Sequence, residues 1–285
     1  MVSSRPHFDF GNQEQPVAFA HRGGDLADTI LENGEVNSVE NTMAAFQAAY
    51  DFGYRYFETD VILTADNKVL ATHGSKNAGA VKRTNLPLRS ELEGRVFSDI
   101  QQHEKIGGEP IPLLEEIFVS FPDAMLNIDS KTERVAPALG KLVNRLGVVD
   151  RVCFASFSDA FTDLAANEVG GRGRVATSAG TKGFKAFVFG IRDYFANSEV
   201  ARVQVPYNIA DAVQKSNSEI SVPRLIASGM IDLVHEHGVA VDVWTVNREK
   251  HMKKALDLGV DGIMTDRLAI MKRVMEQSGK WQQAA

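Results

Sequence analysis

The chain is predicted to be an α/β protein, a (β/α)8 TIM barrel with a small insertion. Three observations predict it. Short apolar runs alternate with segments of helical period, and repeated strand-then-helix units build a parallel sheet with helices outside it. The length of 285 residues suits such a barrel, which takes roughly 250. Several apolar runs turn abruptly polar at their C-terminal ends, where a parallel barrel collects its chemistry.

Strands are expected at 16–20, 54–61, 69–73, 124–128, 152–156, 174–177, 202–206, 239–245 and 262–265. These are nine runs, one more than the barrel needs. Thr64-Ala65-Asp66-Asn67-Lys68 is a turn sequence too short for a helical crossover. The runs at 54–63 and 69–73 should therefore pair like a hairpin, and one of them is not a full stave; the pattern does not choose between them. Helices are expected at 41–52, 135–146, 225–237 and 249–258, each with apolar residues at helical spacing. The polar stretch 74–112, with Lys76, Lys82, Arg83 and Arg89, lacks a long amphipathic helix and reads as an insertion at the top of one barrel domain spanning 1–285. Segment 179–221 carries Phe184, Phe187, Phe189, Tyr194 and Phe195, which suit a helix packed on the barrel, a lid or a hydrophobic rim. Core packing is the favoured role for these rings.

Composition narrows the function. Apolar residues at 44% and charged residues at 24% are ordinary globular values. A net charge of −6 argues against nucleic acid as a partner, since phosphate backbones are bound by a basic face. The one cysteine, Cys153, permits no intrachain disulfide and is expected in the core. The N-terminus has no apolar stretch of signal-peptide length, and no run of about 18 apolar residues would span a bilayer. A cytoplasmic protein without a transmembrane segment is the expectation; oligomeric state is not legible.

Five strand ends carry chemistry: His21-Arg22-Gly23-Gly24, Glu58-Thr59-Asp60, His73, Asp129-Ser130-Lys131 and Trp244-Thr245-Val246-Asn247. Glu58 and Asp60 are two apart on a strand and share a face, an unfavourable pairing unless a cation lies between them. With Asp129 from a nearby strand they make an all-oxygen ligand set for a hard divalent ion, Mg²⁺ or Ca²⁺. His21 and His73, flanking a scissile bond, would divide general-acid and general-base work. Arg22 and Lys131 supply charge for phosphate oxygens. Gly23 and Gly24 let backbone approach a ligand. In Glu40-Asn41-Thr42, the Asn or the Thr caps the following helix, which leaves Glu40 free to face the site. Trp244 suits either the core or an apolar wall for a glycerol carbon chain.

These motifs, in this order, resemble the glycerophosphodiester phosphodiesterase family from about His21 to Asp266. The set is completed by Arg83-Thr84, Ser156-Phe157 and the run Gly259-Val260-Asp261-Gly262-Ile263-Met264-Thr265-Asp266. The resemblance implies a TIM barrel with an insertion after the His73 motif, and hydrolysis of glycerophosphodiesters to an alcohol and sn-glycerol 3-phosphate. It implies His21 and His73 as the acid/base pair, Glu58, Asp60 and Asp129 as metal ligands, and Arg22 and Lys131 on phosphate. Glu40 would lie beside the metal or the glycerol. Three features depart from the family pattern: Asp129 stands where Glu is usual, Gly74 stands where Asp usually follows the second histidine, and the stretch between Gly24 and Glu40 is longer and acidic, with Asp25, Asp28, Glu32 and Glu35.

The expected mechanism has one histidine deprotonating the nucleophile, for which the substrate's own glycerol 2-hydroxyl is the candidate, giving a cyclic phosphate that water later opens. The other protonates the leaving alcohol. Two rivals stand beside it: a phospholipase-D-like barrel acting on lysophospholipids or sphingomyelin with the same site, and a non-catalytic barrel that binds phosphodiesters.

Overall fold

The computed structural model describes residues 15–25, 39–76, 86–207 and 229–281. Its strands are β1 (Val17–His21), β2 (Tyr56–Leu63), β3 (Val69–Ala71), β4 (Lys105–Ile106), β5 (Glu109–Pro110), β6 (Met125–Ser130), β7 (Val152–Ala155), β8 (Ala176–Ala179), β9 (Arg202–Pro206), β10 (Ala240–Trp244) and β11 (Gly262–Thr265). Eight of them run parallel in the order β1-β11-β10-β9-β8-β7-β6-β2, and a parallel β1–β2 pairing closes the barrel. The helices are α1 (Met43–Asp51), α2 (Arg89–Glu93), α3 (Phe97–His103), α4 (Leu114–Ser120), α5 (Val135–Leu146), α6 (Asp159–Asn167), α7 (Thr181–Phe189), α8 (Arg192–Asn197), α9 (Met230–His235), α10 (Glu249–Asp257) and α11 (Leu268–Gln277). Among the described residues no helix is long and apolar enough to cross a membrane.

The structure identifies the ninth run. β3 is antiparallel to the far end of β2, with Val61 opposite Ala71 and Leu63 opposite Val69. So β2 is the stave, and it overshoots the barrel before turning back. Thr64 holds the turn: its hydroxyl donates to Asp66 at 2.7 Å and accepts from the Lys68 amide at 2.9 Å. The expected strand at 174–177 begins later, at Ala176, because Arg172–Arg174 forms a 3-10 turn. Residues 225–228 of the expected helix at 225–237 lie outside the described residues.

Strand alternation divides the side chains between two environments. Ala18, Ala20, Phe57, Val61, Leu126, Ile128, Val203, Val205, Val241 and Val243 join the main core beneath the helices. The other parity faces the barrel axis. Its lower layer packs Val17, Phe19, Cys153, Ala176 and Met264 together. Here Arg202, 2% exposed, pairs with the fully buried Asp242. Gly262 makes room for that pair: a Cβ there would stand 2.1 Å from Asp242 Oδ1.

Between residues 86 and 113 lie α2, α3 and the β4–β5 hairpin, with a small core of their own. Leu86, Leu92, Ile100, Ile106 and Ile111 pack there on Ile62 and Leu70 of the β2–β3 hairpin. Lys82 and Arg83 lie outside the described residues.

Candidate active site

The upper layer of axis-facing residues opens into a cavity of about 810 Å³. Its lining includes the polar side chains of His21, Arg22, Glu58, Asp60, His73, Asp129 and Lys131 and the apolar ones of Phe157, Phe184, Val188, Phe189 and Trp244.

His21 is the last residue of β1 and lies opposite Glu58 in the parallel register. Its Nε2 stands 3.7 Å from Glu58 Oε2, and its Nδ1 bonds Asp266 Oδ1 at 2.6 Å. Asn247 fixes Asp266, donating from Nδ2 to its Oδ2 at 2.7 Å and accepting from the Asp266 amide at 3.0 Å. Burial works against a charge on His21, but Glu58 and Asp266 outweigh it and raise its pKa above the ordinary value.

Arg22 leaves the strand with a left-handed φ of 56°. Its amide then donates to Glu58 Oε2 at 3.2 Å, and its carbonyl accepts from the Asn41 amide at 2.7 Å. Gly23 follows at φ 84°, and a Cβ on it would lie 2.8 Å from that of Ala45, so this turn sits directly on α1. The Arg22 guanidinium reaches Glu40 at 3.1 Å and Asp60 Oδ2 at 2.9 Å. The Glu40-Asn41-Thr42 motif thus has three distinct tasks. Glu40 anchors Arg22. The buried Asn41 accepts from the Thr59 hydroxyl at 2.8 Å and braces the strand end. Thr42 caps α1, accepting from the Ala45 amide at 3.2 Å.

His73 arrives by a different route from the other strand-end groups. It follows β3, which returns it to the rim of the barrel, where the Thr72 amide donates to the Asp60 carbonyl at 2.9 Å. Arg89 of the insertion clamps the His73 carbonyl, from Nη2 at 2.8 Å and Nε at 3.1 Å. Burial and the cations Arg22, Lys131 and Arg89 push the His73 imidazole down to about 3, against the pull of Asp60. His73 is therefore neutral where His21 favours its proton.

The carboxylates are unequally matched. Lys131 Nζ lies 2.5 Å from both Asp60 Oδ1 and Asp129 Oδ2. Burial would raise Asp60, but Arg22 and Lys131 hold it far below the usual carboxylate range. Glu58 is pushed up to about 7 by burial and the neighbouring Asp60. Asp129 is raised by burial despite Lys131, and its buried Oδ1 has no hydrogen-bond partner. Among the described residues no three His, Cys, Asp or Glu side chains converge as a ready-made metal site. Glu58, Asp60 and Asp129 line one cavity, with Lys131 bridging two of them.

All nine residues singled out in the sequence lie at this end of the barrel. Trp244 takes both roles considered for it: it packs on the lower layer and lines the cavity, with its ring 5.8 Å from that of Phe157. The aromatic segment divides. Phe187 and Phe195 are core, as expected, whereas Phe184 and Phe189 line the cavity. Residues 208–221 of that segment, and Asp28, Glu32 and Glu35, lie outside the described residues. Asp266 and Asn247 had no assigned role in the sequence. Asp266 directly follows β11, so the strand-end signal that found the other groups also applied to it.

Comparison with known proteins gives the family. The model of the Glycerophosphoryl diester phosphodiesterase family matches residues 21–270. A Mycobacterium tuberculosis protein named "Probable glycerophosphodiester phosphodiesterase 2" is 29% identical, over 93% of this chain and 96% of that one. A human lysophospholipase D is 28% identical, over 87% of this chain and 82% of its own. An Oleispira antarctica phosphodiesterase, solved with its product sn-glycerol-3-phosphate, superimposes with a TM-score of 0.60 at 17% identity, covering 92% and 97% of the two chains. With a family match that runs from His21 through the last barrel strand, the chain belongs to the glycerophosphoryl diester phosphodiesterase family.

Proposed function

We propose that this chain hydrolyses glycerophosphodiesters to sn-glycerol 3-phosphate and an alcohol at the charged cluster that lines the cavity. The observation that carries the reading is the pair of histidines, His21 and His73, lining one cavity with a carboxylate–cation cluster. His21, backed by Asp266 on Nδ1, keeps a proton on Nε2 and gives it to the leaving alcohol oxygen. His73, neutral beside Asp60, takes the proton of the nucleophile, either the glycerol 2-hydroxyl or water. Lys131 and Arg22 bring positive charge to the phosphate.

A divalent cation, Mg²⁺ or Ca²⁺, fits the donor set. The unpartnered buried oxygen of Asp129 and the raised Glu58 mark more carboxylate than the two side-chain cations neutralise. Glu58, Asp60 and Asp129 would hold the ion, which supplies charge for a non-bridging phosphate oxygen.

The test is release of glycerol 3-phosphate from glycerophosphocholine by the wild type, His21→Ala and His73→Ala. Each variant should lose about 10²–10⁴-fold in kcat with its circular dichroism unchanged. Wild-type rates in both variants would refute the assignment.

A further inference from the structure

We propose that Arg89, on the inserted segment, is a positioning residue for His73: its guanidinium forks onto the His73 carbonyl and so holds the imidazole in its place in the cavity. The inference rests on the phosphodiesterase reading, in which His73 takes the proton of the nucleophile.

The two histidines are held by different means. His21 is fixed through its ring, which bonds Asp266 at 2.6 Å, and Asp266 is fixed in turn by Asn247. Among the described residues the His73 ring has no such partner. Its direction is therefore set by the backbone that carries it and by the staggered side-chain torsions from there.

That backbone is tied down on both sides of the histidine. Before it, the Thr72 amide donates to the Asp60 carbonyl at 2.9 Å. After it, the Ser75 amide donates to the Pro87 carbonyl at 2.8 Å, and the Ser75 carbonyl accepts from the Arg89 amide at 2.9 Å. At the histidine itself the tie is the Arg89 side chain, with two N–H groups of one guanidinium on one carbonyl, at 2.8 Å and 3.1 Å. Charged donors make the stronger class of hydrogen bond, and a rigid fork fixes direction as well as distance. Gly74 makes the approach possible. It turns the chain at φ 56°, and a Cβ on it would lie 3.1 Å from both Cα and Cβ of Arg89. Any side chain at 74, the family's usual Asp included, would press on the start of α2.

Arg89 has a firm base. Leu92, on the same helix, packs on Ile62 and Leu70 of the hairpin that carries His73. Glu93, one turn after Arg89, accepts from the Thr132 hydroxyl at 2.8 Å, beside Lys131. The helix α2 thus joins the His73 segment to the loop that follows Lys131. Arg89 is not among the residues that line the cavity, so it acts through His73 and not on the substrate.

The test is kcat and KM for glycerophosphocholine in the wild type, Arg89→Lys, Arg89→Ala and His73→Ala, with both alanine variants also assayed in millimolar guanidinium chloride. Arg89→Ala should lose about 10²-fold in kcat with KM unchanged, the cost of displacing a reacting group by about 1 Å. Arg89→Lys, which can still give one N–H to the carbonyl, should recover part of that loss. Free guanidinium should restore kcat in Arg89→Ala and not in His73→Ala. An Arg89→Ala enzyme with wild-type kcat, or one whose loss neither lysine nor guanidinium recovers, overturns the positioning role; an inactive His73→Ala then leaves the phosphodiesterase reading standing. Wild-type turnover in His73→Ala overturns both.

Discussion

Two clusters of buried charge lie one above the other in this barrel, and they are built differently. In the lower layer, Arg202 and Asp242 form a closed pair. Arg202 Nε donates to Asp242 Oδ2 at 2.7 Å, Nη2 bonds the other oxygen, and Gln204 ties Asp242 Oδ2 to Asn127. One cation meets one carboxylate, in a bidentate geometry that leaves no oxygen of Asp242 unmet. At the rim, Glu58, Asp60 and Asp129 share Arg22 and Lys131, and Arg22 is also bound to Glu40. The result is uneven: Asp60 is held ionised, Glu58 rises to about 7, and an Asp129 oxygen stays unmatched. A closed pair fills the interior and specifies packing. A cluster with unneutralised carboxylate is prepared for something from outside.

The largest test of this contrast is at the closed pair. Arg202→Met strands a buried carboxylate and should destabilise the protein by about 3–5 kcal/mol in urea unfolding. Adding Asp242→Leu should recover much of that loss, because the stranded charge is gone. If the single variant is as stable as the wild type, the lower pair is not closed in the sense argued here.

A smaller effect is expected at the rim. Asp266→Asn keeps a hydrogen-bond partner for His21 Nδ1 but removes the charge that helps to raise the imidazole pKa. The lower pKa means His21 loses its proton at lower pH, so the alkaline limb of the kcat profile should move to lower pH. A fall in kcat of about tenfold should accompany it, within the range for a general acid. An alkaline limb that does not move would show that His21 is not the acid.

Much of this was legible because barrel strands alternate. Once Glu58 and Asp60 are placed on one strand, their spacing puts both on the axis, and the same rule carries His21 and Asp129 inward. The family motifs then fixed the order of the parts. What stayed hidden depends on contacts distant in sequence. No local pattern indicates that Asp266 would back His21, or that Asp242 would meet Arg202 40 positions away. The hairpin was visible in Thr64–Lys68, but only the pairing showed that β2 is the stave and that β3 returns His73 to the rim. The rings of 184–189 were legible as hydrophobic; which of them face the barrel and which the cavity was set by how α7 docks.

The claim that the rim is under-neutralised is tested most directly by calorimetric titration of Mg²⁺ or Ca²⁺ into chelator-stripped protein. The account predicts one ion per chain, with affinity that strengthens as pH rises through about 7, where Glu58 gives up its proton. It also predicts binding at least about tenfold weaker in Asp129→Asn, the loss typical when a supporting group at a metal site is removed. A wild type that takes up no ion, or an Asp129→Asn variant that binds as tightly as the wild type, would contradict it.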